Sequence, residues 1–303
     1  MSKKIIGVYL SAIFAMVFWA FSFIWYKEVL VLYKPVSLVL MRLIISSTLL
    51  LIVTASLGRL DKIKRKDIKI FILLSFLSPF LYFLGESYGV SLTPSTLAAV
   101  IIATIPLFSP IGAYYYLNER LSMMNFLGIV VSVVGVAFVI FHKGFDMSEV
   151  NSLGIAFLAL AVVSALGYSL ILKKLTDRYN VMSIVAYQNL IGFFFFLPLF
   201  FILDYKEFIQ VRPTWEVIVP LLNLGIFASS FAFIFFTYAI KQLGISKANI
   251  FTNAIPSLTA IFAYFMLGES ITVLKMVGIL IVIFGLFLSQ MKKGTFKRIF
   301  SCG

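Results

Sequence analysis

Apolar residues along this chain come in ten long blocks separated by short polar stretches. The blocks run approximately over 5–26, 35–57, 69–90, 94–117, 123–141, 153–172, 182–203, 216–240, 247–267 and 272–290. Most hold about 18 to 24 residues, the length a helix needs to cross a hydrocarbon core of about 30 Å. The pattern predicts an all-α integral membrane protein of ten transmembrane helices. The linkers are short, so neighbouring spans run antiparallel. The first block follows Lys3 and Lys4 as a signal peptide would. It is too long for one and lacks a small-residue cleavage pattern before Trp25-Tyr26-Lys27, so it reads as a retained span.

The blocks also repeat. Leu117-Asn118-Glu119-Arg120-Leu121-Ser122 returns as Leu267-Gly268-Glu269-Ser270-Ile271-Thr272. At the same offset, without a gap, Tyr88 falls on Tyr238, Ile105-Pro106 on Ile255-Pro256, Gly128 on Gly278 and Gly135 on Gly285. A match across half the chain means a duplicated unit. The predicted organisation is a first five-span repeat over 1–144, a second over 151–291, and a short basic tail over 292–303.

Composition agrees with the pattern. Hydrophobic residues make up 62% and charged residues 12%, with a mean hydropathy of +1.07. A soluble domain carries about twice that charged share. The net charge of +13 does not point to nucleic acid, because the basic residues lie in loops between spans. With the amino terminus inside, the inner segments hold about three times as many Lys and Arg as the outer ones. Both termini are therefore expected in the cytoplasm. Five spans per half is an odd number, so the second repeat enters the membrane upside down. Inverted repeats with a site between them are an architecture of secondary transporters.

Chemistry is sparse. The single cysteine is Cys302 and the single histidine His142, which exclude a disulfide framework, a Cys- or His-based metal centre and a histidine triad. No phosphate-binding Gly-x-x-x-x-Gly-Lys loop is present. No enzyme activity and no cofactor are expected.

Two ionisable residues lie well inside spans, Arg42 in the second and Glu86 in the third. Each costs about 2.5–3.5 kcal/mol near the bilayer centre if left alone. Both fall roughly 6–11 Å below the outer surface at 1.5 Å per residue, so an ion pair across the two helices is within reach. The pair either pins the helices together or faces a cavity. In the second case Glu86 takes a proton or a substrate amine, and Arg42 attracts a carboxylate. The second repeat has Phe236 in place of Glu86, and Gln188 near the place of Arg42.

Uncharged candidates follow. Pro106 and Pro256 remove a backbone donor in the fourth and ninth spans, and paired interruptions point to a binding site or serve packing. Asn249 and Asn253, four residues apart, offer hydrogen-bonding groups as a cavity wall or as glue between helices. Trp19 and Ser22 in the first span match Tyr168 and its neighbours in the sixth, and are candidates for the substrate wall. Phe193 to Phe196 are assigned to lipid contact. The seven-residue glycine spacing of Gly128 and Gly135, with Gly278 and Gly285, suits close helix packing. Either the two halves or two protomers meet there, so the chain is a monomer or a homodimer. Glu119 and Glu269 are expected to cap the helices that follow them.

Taken together, Trp19-Ala20-x-Ser22, Arg42, Pro106, Leu117-x-Glu119-Arg120-Leu121, Gly128 and Gly135 resemble one EamA repeat. Pro256, Gly268-Glu269-Ser270, Gly278 and Gly285 resemble a second. Asn118 stands where the pattern usually has glycine, and Glu86 is not part of it. The resemblance covers nearly the whole chain and implies a ten-span member of the drug/metabolite transporter superfamily. It implies an inner-membrane carrier, commonly an exporter of amino acids or other small metabolites, surrounded by lipid. Other expectations considered are a carrier of nucleotide-type or lipid-linked substrates, for which only Arg42 is available as a basic cavity residue, and a non-transporting scaffold or sensor, for which the loops are short.

Overall fold

The computed structural model describes residues 3–92, 101–102, 104–118, 122–140, 151–267 and 272–290. Glu119, Glu269 and the 292–303 tail lie outside the described residues. Helices account for almost all the rest. In the first half they are α1 (Lys3–Leu30), α2 (Pro35–Ser56), α3 (Ile68–Ser75), α4 (Tyr82–Leu92), α5 (Ile105–Leu117) and α6 (Met123–Ile140). In the second half they are α7 (Ser152–Thr176), α8 (Val181–Leu203), the short α9 (Tyr205–Phe208), α10 (Trp215–Asn223), α11 (Ala232–Leu243), α12 (Ile245–Ile250), α13 (Ala254–Leu267) and α14 (Val273–Gln290). Among the described residues, six helical stretches are long and apolar enough to cross a membrane. They are Ile5–Leu30, Pro35–Ser56, Arg65–Gly89, Ser152–Thr176, Val181–Leu203 and Trp215–Leu243. Large apolar side chains such as Ile52, Val163, Phe265 and Phe287 project outward from the bundle.

The contacts have a simple rule. α2 packs on α8 and α6 on α14, each helix against its own counterpart in the other half. The contact of α1 with α11 is matched by that of α7 with α4, and the contact of α1 with α13 by that of α7 with α5. Exchanging the halves therefore maps the contacts onto themselves. The counterparts run in opposite directions. Ser37 at the start of α2 bonds to Asp204 at the end of α8, and Arg59 just past α2 accepts from Ser183 at the start of α8.

Both ends of the α2–α8 pair are fastened by loops. On one side the carboxylate of Asp67 accepts from the Tyr179 hydroxyl at 2.7 Å and from Arg178 at 3.0 Å. On the other, Asp204 accepts from the Ser37 backbone N–H and hydroxyl at 2.8 and 3.0 Å, with a Lys34–Glu207 ion pair beside it.

The glycine stripes of α6 and α14 face each other within one chain. A Cβ on Gly135 would stand 2.6 Å from the Val282 nitrogen and 2.8 Å from the Gly278 carbonyl. One on Gly285 would stand 2.5 Å from the Ser132 nitrogen. Only hydrogen fits, so the stripes join the two halves, and Asn125 adds a hydrogen bond to the Ser289 carbonyl.

Three helices are interrupted, in ways the apolar pattern hides. A wide, π-helical turn covers Phe76–Leu81 between α3 and α4, with Ser78 out of helical backbone. A second covers Leu224–Phe231 between α10 and α11, at the equivalent place in the other repeat. The ninth apolar block breaks at a 3-10 turn over Phe251–Asn253, one turn before Pro256. Pro256 is the third residue of α13, inside its first turn. Pro106 sits in the first turn of α5, where its missing donor costs nothing. The expectation that Phe193 to Phe196 all face lipid needs correction. Phe194 is exposed, but Phe196 is 1% exposed and its ring packs 5.3 Å from Phe80.

Candidate functional site

The wide turn at Leu224–Phe231 is the centre of the site. A π-helical turn puts its backbone carbonyls out of register with the helical ladder, and other elements use them. Trp19 of α1 donates its indole N–H to the Ala228 carbonyl at 3.2 Å. Ser46 of α2 and Asn189 of α8 both donate to the Ser229 carbonyl, at 3.0 and 2.8 Å. Asn189 also donates to Ser46 at 2.6 Å, and Ser230 donates to Ser46 at 2.8 Å. Gly225 allows α2 this close, since a Cβ there would press into Ile45.

Arg42 is held by the same turn. Its Nε donates to the Ser229 hydroxyl at 2.7 Å, and its guanidinium lies over the Phe83 ring at 4.4 Å. That ring face attracts a cation. Among the described residues this is Arg42's only hydrogen bond, so both terminal nitrogens keep their donors for another group. Arg42 is 4% exposed.

Glu86 is half-buried and accepts from Tyr82, one turn earlier on α4, at 3.0 Å. Its neighbour Ser87 accepts from Tyr26 of α1 at 2.8 Å. Glu86 and Arg42 lie within electrostatic range of each other, but they make no ion pair. The ion pairs among the described residues are Lys34–Glu207 and Arg178–Asp67. Each charge is thus braced by uncharged or aromatic groups rather than by the other. Trp19 packs beside this group, edge-on to Phe233 at 5.4 Å and Phe236 at 4.9 Å, while Phe233 stands 6.2 Å from Phe83.

The remaining sequence candidates fall in three places. Ser22 turns back on its own helix, donating to the Trp19 carbonyl at 2.7 Å. Tyr168 is buried and donates to Gln188 at 3.0 Å, with Thr237 beside it. Asn249 reaches Ser169, next to Tyr168, at 3.5 Å. The α11 helix links this group to the first, because Phe236 touches Trp19 and Thr237 follows it. Asn253 turns elsewhere, donating to Ser132 of α6 at 2.6 Å. The 3-10 turn separates the two asparagines that an unbroken helix would have stacked on one face. A cavity of about 250 Å³ opens between α5 and α7, lined by Phe108, Ser109, Gly112, Leu166 and Leu170; no sequence candidate lines it.

Sequence reasoning missed Tyr26, Tyr82, Phe83, Ser46, Asn189 and Ser229. The four-residue spacing of Tyr82 and Glu86 was a usable signal, as were polar residues in otherwise apolar blocks. Ser229 corresponds to Pro79 in the first repeat, and Arg42 to Gly192. The Arg42–Ser229 contact is mirrored by Gly192 lying against the Pro79 ring.

Comparison with known proteins agrees with the duplication. The EamA-like transporter family matches twice, over residues 6–141 and 152–291. The uncharacterized transporter YetK of Bacillus subtilis is 27% identical over 259 residues, covering 84% of this chain and 77% of that protein. An uncharacterized transporter of Archaeoglobus fulgidus is 25% identical, covering 91% of this chain and 96% of its own length. A probable terminal-alkyne amino-acid exporter of Streptantibioticus cattleyicolor is 25% identical, covering 88% of each chain. A crystal structure of 14% identity shares the fold, with a TM-score of 0.81 over 94% of this chain and 98% of that one. With two matched repeats spanning nearly its whole length, the chain belongs to the EamA-like transporter family and is a multi-pass membrane transporter, not an enzyme.

Proposed function

We propose that the protein is a secondary transporter that exports small zwitterionic metabolites, amino acids above all, across the cell (inner) membrane. Ten spans form two inverted repeats, over 1–144 and 151–291, and alternating access exchanges the conformations of the halves. The antiparallel counterparts and the exchange symmetry of the contacts support inversion. The charge asymmetry of the loops supports cytoplasmic termini. Loops assigned to one side are also those clasped together, as Asp67 is to Tyr179.

The observation that carries the reading is the placement of Arg42 and Glu86. Two opposite charges stand near each other, unpaired, at the junction of the halves and beneath an aromatic wall. A zwitterion satisfies both, its carboxylate on the free fork of Arg42 and its ammonium on Glu86. A bidentate guanidinium–carboxylate contact adds orientation as well as energy. Glu86 also serves as the proton-coupling group, in exchange of substrate against protons. Trp19 and Ser22 belong to the wall of the substrate site, Tyr168 and Asn249 extend it into the second half, and Asn253 supplies a polar group at the broken helix. Pro106 and Pro256 permit the helix breaks that gating uses. The amino-acid exporter among the relatives supports the substrate class.

The test is uptake of labelled amino acids into proteoliposomes under an imposed pH gradient, wild type beside Glu86→Gln. Gradient-driven uptake of an amino acid that loses its pH dependence in the variant is the expected result. Uptake unchanged in the variant removes Glu86 from coupling, and no movement of any amino acid removes the substrate class.

A further inference from the structure

We propose that the break between α12 and α13 is a binding site for a small monovalent cation, Na+ by its chemistry, held by the Asn253 side-chain oxygen and the Ser257 hydroxyl. This deepens the secondary-transport reading by naming a coupling ion; it rests on that reading only for coupling, not for binding.

The Asn253 carboxamide is completely buried, and its Oδ1 has no hydrogen-bond partner. The orientation of that group is fixed by its neighbour. Ser132 donates its own proton to the Ile129 carbonyl at 2.9 Å, so toward Asn253 it can only accept. The Asn253 nitrogen therefore faces Ser132, at 2.6 Å, and the oxygen is left pointing away. Turning the amide over would set two acceptors against each other.

Four residues on, one helical turn away, Ser257 is 4% exposed and its hydroxyl also lacks a partner. The opposite face of α13 is occupied by α1. Phe262 stacks on Phe21 at 4.0 Å and Thr259 reaches the Ala20 carbonyl at 3.4 Å. The oxygen-bearing face is thus turned from α1 toward α6.

Buried polar groups in protein interiors are almost always paired. Leaving two unpaired oxygens one turn apart, in a membrane, is costly unless something joins them. What joins them must accept lone pairs. Uncharged oxygens suit a hard cation, and interrupted helices hold Na+ in secondary transporters. A divalent ion would ask for carboxylates. Among the described residues no three acidic, His or Cys side chains cluster, so a single charge fits better. The equivalent positions in the first repeat are Ala103 and Leu107, so the site belongs to the second half alone, as the Arg42–Glu86 pair belongs to the first.

The test uses purified full-length protein, titrated with NaCl at constant ionic strength against choline chloride, with thermal unfolding as the readout. Wild type is expected to show a saturable rise in Tm with Na+. Ser257→Ala keeps the Asn253–Ser132 bond and is expected to fold with the same Tm in choline, while its Na+ midpoint rises at least about tenfold, the effect of losing one ligand worth about 1.4 kcal/mol. Asn253→Ala is the second variant and is expected to lose the response. An equal rise with K+ replacing choline, or an Na+ midpoint unmoved in Ser257→Ala, overturns the site. None of these readouts needs a transported substrate, so failure of the amino-acid reading leaves this result standing, and the reverse.

Discussion

Replacing Gly135 by alanine tests whether the α6–α14 glycine seam joins the halves as tightly as the geometry requires. The added methyl would lie 2.6 Å from the Val282 nitrogen and 2.8 Å from the Gly278 carbonyl. Both are backbone atoms and cannot rotate away. Relaxed contact for such atoms begins near 3.5 Å, so the helices must part by roughly 1 Å. The hydrogen bond from Asn125 to the Ser289 carbonyl across this seam opposes the movement. Overpacking of this kind costs about 1–3 kcal/mol, a fall in Tm of roughly 2–5 °C for a chain of this size. Gly112 is the control: a methyl there would sit 3.4 Å from the tip of the Leu170 side chain. That contact is ordinary, and alanine favours the helix by about 1 kcal/mol. The measurement is thermal unfolding of the two purified variants across a range of protein concentration. Gly135→Ala should lose Tm equally at every concentration, because both faces of the seam lie in one chain. A Tm within a degree of wild type, or a loss that grows on dilution, would refute the reasoning.

Two further substitutions separate groups that bind from groups that brace. Arg42→Lys keeps the charge but loses the Nε bond to Ser229 and the flat face over Phe83; the KM for a transported amino acid should rise about tenfold with little change in Tm, and an unchanged KM would remove Arg42 from substrate contact. Asp67→Ala deletes a buried acceptor of Tyr179 and should cost about 2 kcal/mol, whereas Arg178→Ala, whose side chain is 56% exposed, should cost less than about 1 kcal/mol. Equal losses in thermal unfolding would mean that the exposed ion pair, not the buried hydrogen bond, holds the loops.

The apolar periodicity made the membrane class and the repeat legible, because a bilayer imposes both length and composition on whatever crosses it. The charges at Arg42 and Glu86 were legible for the same reason: each is expensive in that solvent. Their partners were not. Ser229 is one serine among many until the wide turn at Leu224–Phe231 frees its carbonyl and turns its hydroxyl to Arg42. No local pattern marks that turn, since its eight residues read as an apolar helix; the repeat marks it only once its counterpart at Phe76–Leu81 is seen. The glycine spacing announced a tight contact but not its partner. Deciding between two halves and two protomers needed the position of α14. The 3-10 turn before Pro256 parted Asn249 from Asn253 for a similar reason, a backbone register that side-chain spacing does not record.

The polar cluster beneath Arg42 allows a last separation of stability from function. Asn189→Leu removes two hydrogen bonds, to the Ser46 hydroxyl at 2.6 Å and to the Ser229 carbonyl at 2.8 Å. On a water-soluble scale, orphaning those acceptors would cost about 1–3 kcal/mol each. Neither is orphaned here. The Ser229 carbonyl still accepts from Ser46 at 3.0 Å, and the Ser46 hydroxyl still accepts from Ser230 at 2.8 Å. Interhelical hydrogen bonds in membranes average about 0.6 kcal/mol, so a total near 1 kcal/mol is expected. The Ser229 backbone stays in place and with it the Arg42 contact, so KM should hold. Ser229→Ala does the opposite. It leaves the backbone bonds intact and takes away the one acceptor of Arg42, so KM should move while Tm barely does. Reversed effects, a KM that follows Asn189 and a Tm that follows the Ser229 hydroxyl, would mean that Arg42 is placed by its packing on Phe83 and not by the widened turn.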